Sequence, residues 1–245
     1  MESKVSVVVP AYHSKEFLEK ALRSVEKQSF KDFEVVVVED ERSHGCKEIV
    51  ERFGDRYRYY RKGRNVSESR NYGIEKSQGE YIAFLDSDDT WFSENLKRKL
   101  EFLDDNPDCS LVFSRFVTVF PDGGTEDAKS FDGDIIGYFL KGRRIQTSAV
   151  MARKEDILEA GMFDEEMPYW EDSDLWMKLS EEGRIGFIDD VLTVYNKRED
   201  SRTNTGREGI MRYFMRFCDR HWDRLSDRAR SDLREFIERY TEMYV

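Results

Sequence analysis

The sequence predicts an α/β protein built on an open, mostly parallel sheet flanked by helices, and three observations lead to this prediction. The runs at residues 5–9 (VSVVV) and 34–38 (EVVVV) are β-branched and almost continuously apolar, as is typical of strands covered on both faces. Apolar side chains recur between them at helical spacing over residues 17–25. A further apolar run at residues 81–85 follows another helical pattern. This alternation is typical of parallel strands joined by helical crossovers.

The elements can be predicted in chain order. The first part is expected to contain strands at 5–9, 34–38 and 81–85, alternating with helices over 17–25, 48–53 and 67–77. Ser14 is positioned to cap the first helix. Beyond Asp89 the pattern predicts helices over 96–103, 135–140, 157–160 and 173–180, and strands over 111–120, 147–152, 185–188 and 192–195.

The length of 245 residues favours one large domain with an appendage. We expect a main domain at 1–205, divided at about residue 110, and a helical C-terminal extension at 206–245. The 39% hydrophobic residues and the low proline and glycine content exclude disorder and fibrous repeats. The formal net charge of -11 argues against a nucleic-acid partner.

The three cysteines and the N-terminus bear on the cellular compartment. Cys46, Cys109 and Cys218 are far apart and form no C-x-x-C, which argues against a disulfide framework or a cysteine zinc site. The apolar run near the N-terminus stops at Pro10, and the sequence has no stretch of about 18 apolar residues. A cytoplasmic protein, with contact at the inner face of a membrane as an option, is therefore expected.

Chemistry-bearing residues follow the predicted strands directly. In open α/β sheets ligands bind beyond the carboxyl ends of the strands. These ends carry Pro10-Ala11-Tyr12, Glu39-Asp40 and Asp86-Ser87-Asp88-Asp89. No glycine-rich phosphate loop occurs, and carboxylates repel phosphate unless a divalent cation bridges them. Asp86 and Asp88 are therefore candidate ligands of Mg²⁺ or Mn²⁺, with water and phosphate completing the shell.

Four sequence blocks occur in a consistent order along most of the chain: VSVVVPAYHSKEFLEKALRSV, FEVVVVED, NVSESRNYGIEKSQGEYIAFLDSDD and MPYWEDSDLWMKL. Together they resemble family 2 glycosyltransferases, which have the GT-A fold, from about residue 5 to about residue 195. Several blocks in one order are more specific than any single motif. The resemblance implies a nucleotide-sugar donor, a divalent metal, and sugar transfer with inversion at the anomeric carbon.

The resemblance also implies roles for individual residues. It places the nucleotide-sugar pocket in residues 1–110, formed by Pro10, Ala11, Tyr12, Glu39, Asp40, Asn65, Arg70, Asp86, Ser87 and Asp88. Asp40 would hydrogen-bond the base, most often uracil, and Arg70 would lie near the diphosphate. Asp86 would meet the ribose or the metal, and Asp88 the metal.

The acceptor side is expected in residues 111–205. There the resemblance implies that Asp172 is the general base, that Glu171 lies beside it, and that Trp176 supports it from the helix. His13 and Arg198 depart from the family pattern, which often has Asn and His at those places. Arg198 stays protonated, so it cannot bind a metal but can neutralise phosphate directly.

We therefore expect transfer from a UDP-sugar to a hydroxyl of a glycan or lipid-linked acceptor, with Mn²⁺ or Mg²⁺ as cofactor. Two alternatives stay open: a GT-A-like nucleotide-sugar-binding or scaffold protein that has lost transfer, and a sugar-phosphate nucleotidyltransferase. Donor sugar, linkage and oligomeric state are not determined by the sequence.

Structural interpretations compete with several of these roles. Asp89 has the position of a turn residue, Arg70 could pair with an acid on a solvated face, and Tyr12 and Trp176 could be core residues. In the C-terminal extension, arginines recur every four residues at 212, 216, 220, 224 and 228. A membrane-facing basic helix is one interpretation, and a salt-bridged packing or dimer helix is the other.

Overall fold

The computed structural model describes residues 3–127, 131, 133, 135–140, 143–198, 207–224, 227, 230–231 and 233–234. In chain order its strands are β1 (Val5–Ala11), β2 (Phe33–Glu39), β3 (Tyr57–Arg61), β4 (Tyr81–Phe84), β5 (Thr90–Trp91), β6 (Cys109–Val119), β7 (Thr125–Asp127), β8 (Val150–Arg153) and β9 (Arg184–Asn196). Its helices are α1 (Lys15–Glu26), α2 (Lys47–Val50), α3 (Val66–Lys76), α4 (Asn95–Asp105), α5 (Ile135–Leu140), α6 (Lys154–Glu159), α7 (Glu171–Glu182) and α8 (Arg207–Arg220).

The described strands form one open sheet in the order β3-β2-β1-β4-β8-β6-β9-β5, with β7 paired to β6. The half made of β3, β2, β1 and β4 is entirely parallel. The other half is mixed, because β8 runs antiparallel to β4 and β6 whereas β9 runs parallel to β6. The predicted α/β sheet with flanking helices is confirmed, and it is wholly parallel only in its N-terminal half.

Both faces of the sheet carry a hydrophobic core, as the continuously apolar strands predict. Val7 and Val9 of β1 face a cluster closed by α1, α2 and α4. Val8, between them, faces the opposite cluster, to which α3, α5, α6, α7 and α8 contribute. Because successive side chains of a strand point to opposite faces, one short valine run serves both cores.

Helix α3 lies unusually close to β1. A Cβ on Gly73 would come within 2.5 Å of Cγ1 of Val8, so only glycine permits this approach. Ser14 begins α1 as predicted, but its hydroxyl makes no capping hydrogen bond, and the helix start uses the Ser14 carbonyl instead. Asn65 caps α3 by accepting a hydrogen bond from the Glu68 amide. The short distance between α3 and β1 brings Arg70 of α3 over the strand ends.

Two predicted elements differ from the structure. The strand expected at 147–152 starts with a 3-10 turn, Thr147–Ala149, because the Ser148 carbonyl accepts from Trp91 Nε1 and Thr193 Oγ1 and not from a neighbouring strand. The strands expected at 185–188 and 192–195 are one strand, β9, whose register against β6 shifts between Ser114 and Arg115. Strands β3, β5 and β7 were not predicted. At β5 the sequence indicates a turn.

The described part of the C-terminal extension packs onto the main domain. Phe214, Phe217, Cys218 and Leu233 belong to the same core cluster as Phe84 of β4. Arg228 of the arginine series lies outside the described residues. The three cysteines are buried and unpaired. Among the helices described, none combines the length and the apolar character that a membrane span requires.

Candidate functional site

The candidate site lies at the edge of the sheet where β1, β2 and β4 end. The strand order changes direction between β1 and β4, and open α/β sheets bind ligands at such a switch point. Tyr12 follows β1, Asp40 follows β2 and Asp86 lies just beyond β4. The Asp40 amide donates to the Ala11 carbonyl at 2.9 Å, which holds the first two ends together.

The end of β2 presents a buried carboxylate that is already paired. Arg42 donates from its Nε to Oδ1 of Asp40 at 2.9 Å and from Nη2 to Oδ2 at 2.8 Å. The same guanidinium lies over the Tyr12 ring, 4.9 Å from its centroid. Burial raises the pKa of Asp40, but hydrogen bonds and charge from Arg42 outweigh it and lower that pKa below the ordinary value. Tyr12 is 51% exposed, so it is not a core residue.

Arg70 joins the two halves of the sheet. Its side chain is buried, and it donates from Nη2 to Oδ1 of Asp86 at 2.8 Å and from Nη1 to Oε1 of Glu171 at 3.2 Å. These partners are 16 and 101 residues away in sequence. The alternative of a surface ion pair is therefore wrong for Arg70. The Arg70 bridge brings Asp86, the acid that follows β4, next to the start of α7.

Asp172 lies beside this pair at the first turn of α7. Its Oδ1 accepts from the Ser173 amide at 2.6 Å, and Thr147 Oγ1 is 3.4 Å from its Oδ2. Burial and the neighbouring Glu171 carboxylate raise the pKa of Asp172, although Arg70 counteracts them. A carboxyl group with a raised pKa is suited to accept a proton near neutral pH.

Asp88 lies close to a cation, Arg198, which follows the end of β9. Arg198 Nη1 is 3.7 Å from Asp88 Oδ2, and the Arg198 guanidinium lies 4.3 Å from the centroid of the Phe17 ring. The Asp88 carbonyl accepts from Asn196 Nδ2 at 2.8 Å, which ties the strand-end loop to β9. Asp88 and Arg198 thus lie side by side, and both side chains are partly exposed.

The acids after β4 offer an incomplete set of metal ligands. Within the described part of the chain, no group of three or more His, Cys, Asp or Glu side chains could hold a metal. Asp86 and Asp88 supply carboxylate oxygens, and Mg²⁺ is commonly bound by one or two carboxylates together with water and phosphate oxygens. The residues therefore fit an ion whose shell is completed by a bound diphosphate, and they do not fit a cage made by the protein alone.

Asp89 is structural, as its turn position suggested. Its amide donates to the Asp86 carbonyl, and its carboxylate accepts from Ser148 Oγ at 2.5 Å and from the Asn196 amide at 2.9 Å. Ser148 Oγ also accepts from the Asp86 amide at 3.0 Å. Burial, together with the charges of Asp88 and Asp86, raises the pKa of Asp89 well above the ordinary value.

Three of the expected site residues, one from the nucleotide-sugar pocket and two from the acceptor side, are buried and engaged with interior partners. Glu39 accepts from Tyr59 Oη at 2.6 Å and from the Cys46 amide, so its carboxylate holds the loop after β2. Glu171 is buried against Arg70 and is not exposed to an acceptor. Trp176 is buried between Phe84 and Phe163, which makes it a core residue.

The remaining expected residues lie at the strand ends and at the start of α3. Pro10 and Ala11 are buried at the end of β1, and Ser87 is buried between the two acids. Asn65 uses its side chain to cap α3 and also donates to the Glu165 carbonyl at 3.2 Å. It therefore orients α3, and with it Arg70.

Sequence reasoning missed Arg42, Thr147, Ser148 and Asn196. Arg42 is two residues from Asp40, and an Asp-x-Arg pair in a loop is a weak signal that could have found it. The other three reach the site from the 3-10 turn before β8 and from the end of β9. No local pattern marks them, because their role depends on the pairing of distant strands.

Known proteins resemble this chain in both sequence and fold. The family model described as glycosyl transferase family 2 matches residues 6–155. A relative from Rickettsia bellii, an uncharacterized glycosyltransferase, is 29% identical over 82% of this chain and 30% of its own length. The chain spans about a third of the length of the first curated relatives that it matches.

Two further relatives have more specific names. The GalNAc(5)-diNAcBac-PP-undecaprenol beta-1,3-glucosyltransferase of Campylobacter jejuni is 28% identical over 88% of this chain and 72% of its own length. The amylovoran biosynthesis glycosyltransferase AmsB of Erwinia amylovora is 30% identical over 74% of this chain and 64% of its own length.

The fold itself matches solved structures. Residues 1–349 of S. aureus TarS in complex with UDP-GlcNAc superpose with a TM-score of 0.78 and 22% identity, covering 98% of this chain and 73% of that one. This similarity shows the GT-A fold. Because the family model covers more than half of the sequence, the chain belongs to glycosyl transferase family 2.

Proposed function

We propose that this chain transfers a sugar from a nucleoside diphosphate sugar to a hydroxyl acceptor, with inversion at the anomeric carbon. The observation that carries this proposal is the buried bridge of Arg70 between Asp86 and Glu171. It brings together the donor-side acids of the N-terminal half and the Glu171–Asp172 pair of the C-terminal half. A guanidinium at that junction is suited to face a diphosphate leaving group.

The donor end of the site is Tyr12 with Asp40. An exposed aromatic ring offers a stacking surface for a base, and a buried carboxylate accepts a hydrogen bond from a base N–H. In this structure the Arg42 guanidinium hydrogen-bonds the Asp40 carboxylate and covers the Tyr12 ring. It therefore has to move away before a base can bind to Asp40 and stack on Tyr12. A uridine nucleotide is the favoured carrier, supported by the UDP-GlcNAc and UDP complexes of TarS.

The transfer step uses Asp172 as the general base. The acceptor hydroxyl oxygen forms a bond to the anomeric carbon, and the bond from that carbon to the diphosphate oxygen breaks with its electron pair. The hydroxyl proton goes to the Asp172 carboxylate, and Arg70 opposes the charge that develops on the leaving diphosphate. The raised pKa of Asp172 favours this proton transfer. No covalent intermediate with the protein is needed.

Asp88, with Asp86, is the proposed holder of Mg²⁺ or Mn²⁺. When bound, the ion would neutralise diphosphate charge as a Lewis acid. Arg198 stays charged at every relevant pH and approaches Asp88 in this structure, so it can add to this neutralisation on the same side.

The acceptor is proposed to be a glycan, and a lipid-linked one is favoured by the name of the Campylobacter relative. A lipid-linked acceptor would bring the protein to a membrane surface. Cosedimentation with anionic vesicles measures such binding, and no cosedimentation would contradict it.

Calorimetry with nucleotides tests the donor site. UDP, GDP and dTDP are titrated into the wild-type protein with and without Mn²⁺, and UDP is expected to bind more tightly with the ion. Asp88→Ala is expected to lose the effect of Mn²⁺. Asp190→Ala is the matched control, because Asp190 pairs with Arg98 on an exposed surface. No binding of any nucleotide would contradict the proposal.

A second candidate function is a nucleotide-sugar-binding protein without transfer. The ion pair between Asp88 and Arg198 favours it, because a paired Asp88 is a weaker metal ligand. The two functions are separated by incubating the protein with UDP-glucose and UDP-GlcNAc without acceptor. Release of UDP by hydrolysis supports the enzyme, whereas binding of UDP without hydrolysis of either sugar nucleotide favours the second candidate.

A further inference from the structure

Helix α7 starts from an unusual backbone conformation. Trp170, directly before Glu171, has φ 65° and ψ 11°, the left-handed region that bulky residues rarely adopt. Such a conformation persists only where surrounding contacts hold it. The carbonyl of Trp170 accepts from the Asp174 amide at 2.9 Å, so this residue sets the first turn of α7.

The contacts that hold Trp170 come from the C-terminal extension. The Trp170 ring lies 4.7 Å from the Phe214 ring and is stacked on the Phe217 ring at 5.5 Å, both measured between centroids. The neighbouring Tyr169 ring lies 6.0 Å from that of Tyr213. Helix α8 therefore packs against the peptide that leads into Glu171 and Asp172.

A charged cluster reinforces the same contact. Asp174 of α7 is fully buried, and both of its oxygens accept from Arg220 Nη1, at 3.0 and 2.9 Å. His221 Nε2 lies 3.0 Å from Asp174 Oδ1, and Lys178 Nζ lies 2.8 Å from Oδ2. Arg220 also donates from Nη2 to Asp164 Oδ2 at 2.6 Å. One guanidinium thus joins the two ends of the segment 164–174.

We propose that α8 positions Glu171 and the general base Asp172 at the start of α7, with Arg220 and Phe217 as the positioning residues. Arg220 closes the segment 164–174, Phe217 fixes Trp170 within it, and the start of α7 then presents Glu171 to Arg70 and Asp172 to the acceptor hydroxyl. This inference deepens the proposed function and rests on it for the role of Asp172. It gives the C-terminal extension a part in the reaction although none of its described residues has to touch a substrate.

Two variants and one control test the proposal. Arg220→Ala removes the link between Asp174 and Asp164, and Phe217→Leu removes the ring under Trp170 while keeping an apolar side chain. Arg216→Ala is the control, because Arg216 lies one turn earlier on α8 and pairs with Asp164 and Glu166 but not with Asp174. Hydrogen–deuterium exchange of the amides in residues 164–176 is measured first. It needs no substrate.

The expected result is local. Exchange over residues 164–176 rises in both variants and stays at the wild-type rate in β1, β2 and β4. Turnover, measured as UDP released from UDP-glucose or UDP-GlcNAc, falls by about 10²-fold in Arg220→Ala, the loss expected for a misplacement of about 1 Å. KM for the donor and the dissociation constant of UDP stay unchanged.

Rescue by a small cation separates positioning from a general loss of stability. Arg220 is 30% exposed, so the space left in Arg220→Ala is open to solvent. Millimolar guanidinium is expected to restore part of its turnover and not to affect Phe217→Leu. Where Arg220→Ala does not fold, exchange and turnover of Phe217→Leu decide the question.

Unchanged exchange over 164–176, or increased exchange with wild-type turnover, would overturn the proposal. So would a parallel loss of donor binding, thermal stability and turnover that guanidinium does not restore. A wild-type protein that releases no UDP from either sugar nucleotide contradicts the proposed function instead, and the exchange experiment still reports separately whether α8 holds the start of α7.

Discussion

The two halves of the sheet present their functional residues in different ways. In the N-terminal half, Tyr12, Asp40 and Asp86 follow parallel strands whose apolar side chains are buried on both faces, so the apolar core fixes where they lie. In the C-terminal half, Asp172 lies on a helix whose start is held by buried ions and by aromatic stacking from α8. The donor side is thus built by local strand geometry, and the acceptor side by contacts between distant segments.

This difference indicates how each half should respond to acid and to substitutions of charged residues. Hydrophobic packing is insensitive to pH, whereas buried ion pairs depend on the ionisation of every partner. Breaking a buried pair also leaves the remaining charge uncompensated, which costs more than the pair contributes. The C-terminal half should therefore be sensitive to acid and to single charge changes. The N-terminal half should respond mainly in ligand affinity.

The largest expected effect is on turnover, at the acceptor side. Asp172→Asn keeps the shape of the side chain but removes the general base, so we expect kcat to fall by about 10² to 10⁴-fold. The dissociation constant of UDP should change little, because the proposed contacts with the base are made by Tyr12 and Asp40 and not by Asp172. Turnover assays and calorimetry measure the two quantities. Asp190→Asn, on an exposed surface, is the control, and near-normal turnover of Asp172→Asn would remove Asp172 from the role.

The next largest effect is expected where the two halves meet. Arg70→Ala leaves Asp86 and the buried Glu171 without their shared cation, and we expect the free energy of unfolding to fall by about 3–5 kcal/mol. Urea denaturation gives this value. Arg184→Ala breaks an exposed pair with Asp108 and should cost at most about 1 kcal/mol. Equal losses of unfolding free energy in the two variants would show that the buried Arg70 bridge stabilises the fold no more than an exposed ion pair does.

Acid should weaken the C-terminal half selectively. Burial raises the pKa of Asp174, but hydrogen bonds from His221 and Lys178, with the charges of Lys178 and Arg220, outweigh it and bring the pKa to about 2. Because this pKa is lower in the folded state, the stabilisation is complete above pH about 4 and is lost as the pH falls through about 2. The contribution is about 2 kcal/mol.

The measurement is the free energy of unfolding as a function of pH. Between pH 4.5 and 2 the wild type should lose about 2 kcal/mol more than Asp174→Asn, which lacks the titrating group. Tryptophan fluorescence is a suitable probe, because Trp170 and Trp222 lie at the α8 contact. Parallel curves for the two proteins would mean that Asp174 does not couple the extension to the fold.

The smallest effect is expected on nucleotide affinity, where Tyr12 and Asp40 are proposed to bind the nucleotide base. Arg42→Ala frees the Asp40 carboxylate and the Tyr12 ring, and the half-exposed pair that competes with the base is worth about 0.2–1 kcal/mol. UDP should therefore bind about 1.4- to fivefold more tightly to this variant. Arg64→Ala removes a charge near Glu41 without touching Asp40 and is the control. Weaker binding to Arg42→Ala would mean that Arg42 itself contacts the nucleotide.

Local patterns were sufficient for much of the fold. The helix predicted over 135–140 has the same bounds in the structure, and the strands at 5–9 and 34–38 are extended by only a few residues. The failures lie where distant segments decide. The 3-10 turn at Thr147–Ala149 forms because the Ser148 carbonyl accepts from Trp91 and Thr193, which belong to other strands. The single strand β9 forms because its pairing with β6 accommodates a register shift.

The sequence by itself determined the alternation of strands and helices and the acids at the strand ends, because apolar periodicity and strand direction are local properties. It therefore located Tyr12, Asp40, Asp86 and Asp88 at one edge. Only the tertiary structure decided which carboxylates are bound by side chains from distant elements of the fold. Glu39 and Glu171 resemble their neighbours Asp40 and Asp172 in sequence, yet Tyr59 and Arg70, brought in by other elements, engage them in the interior. Ion pairing depends on which segments pack together, and no local pattern contains that information.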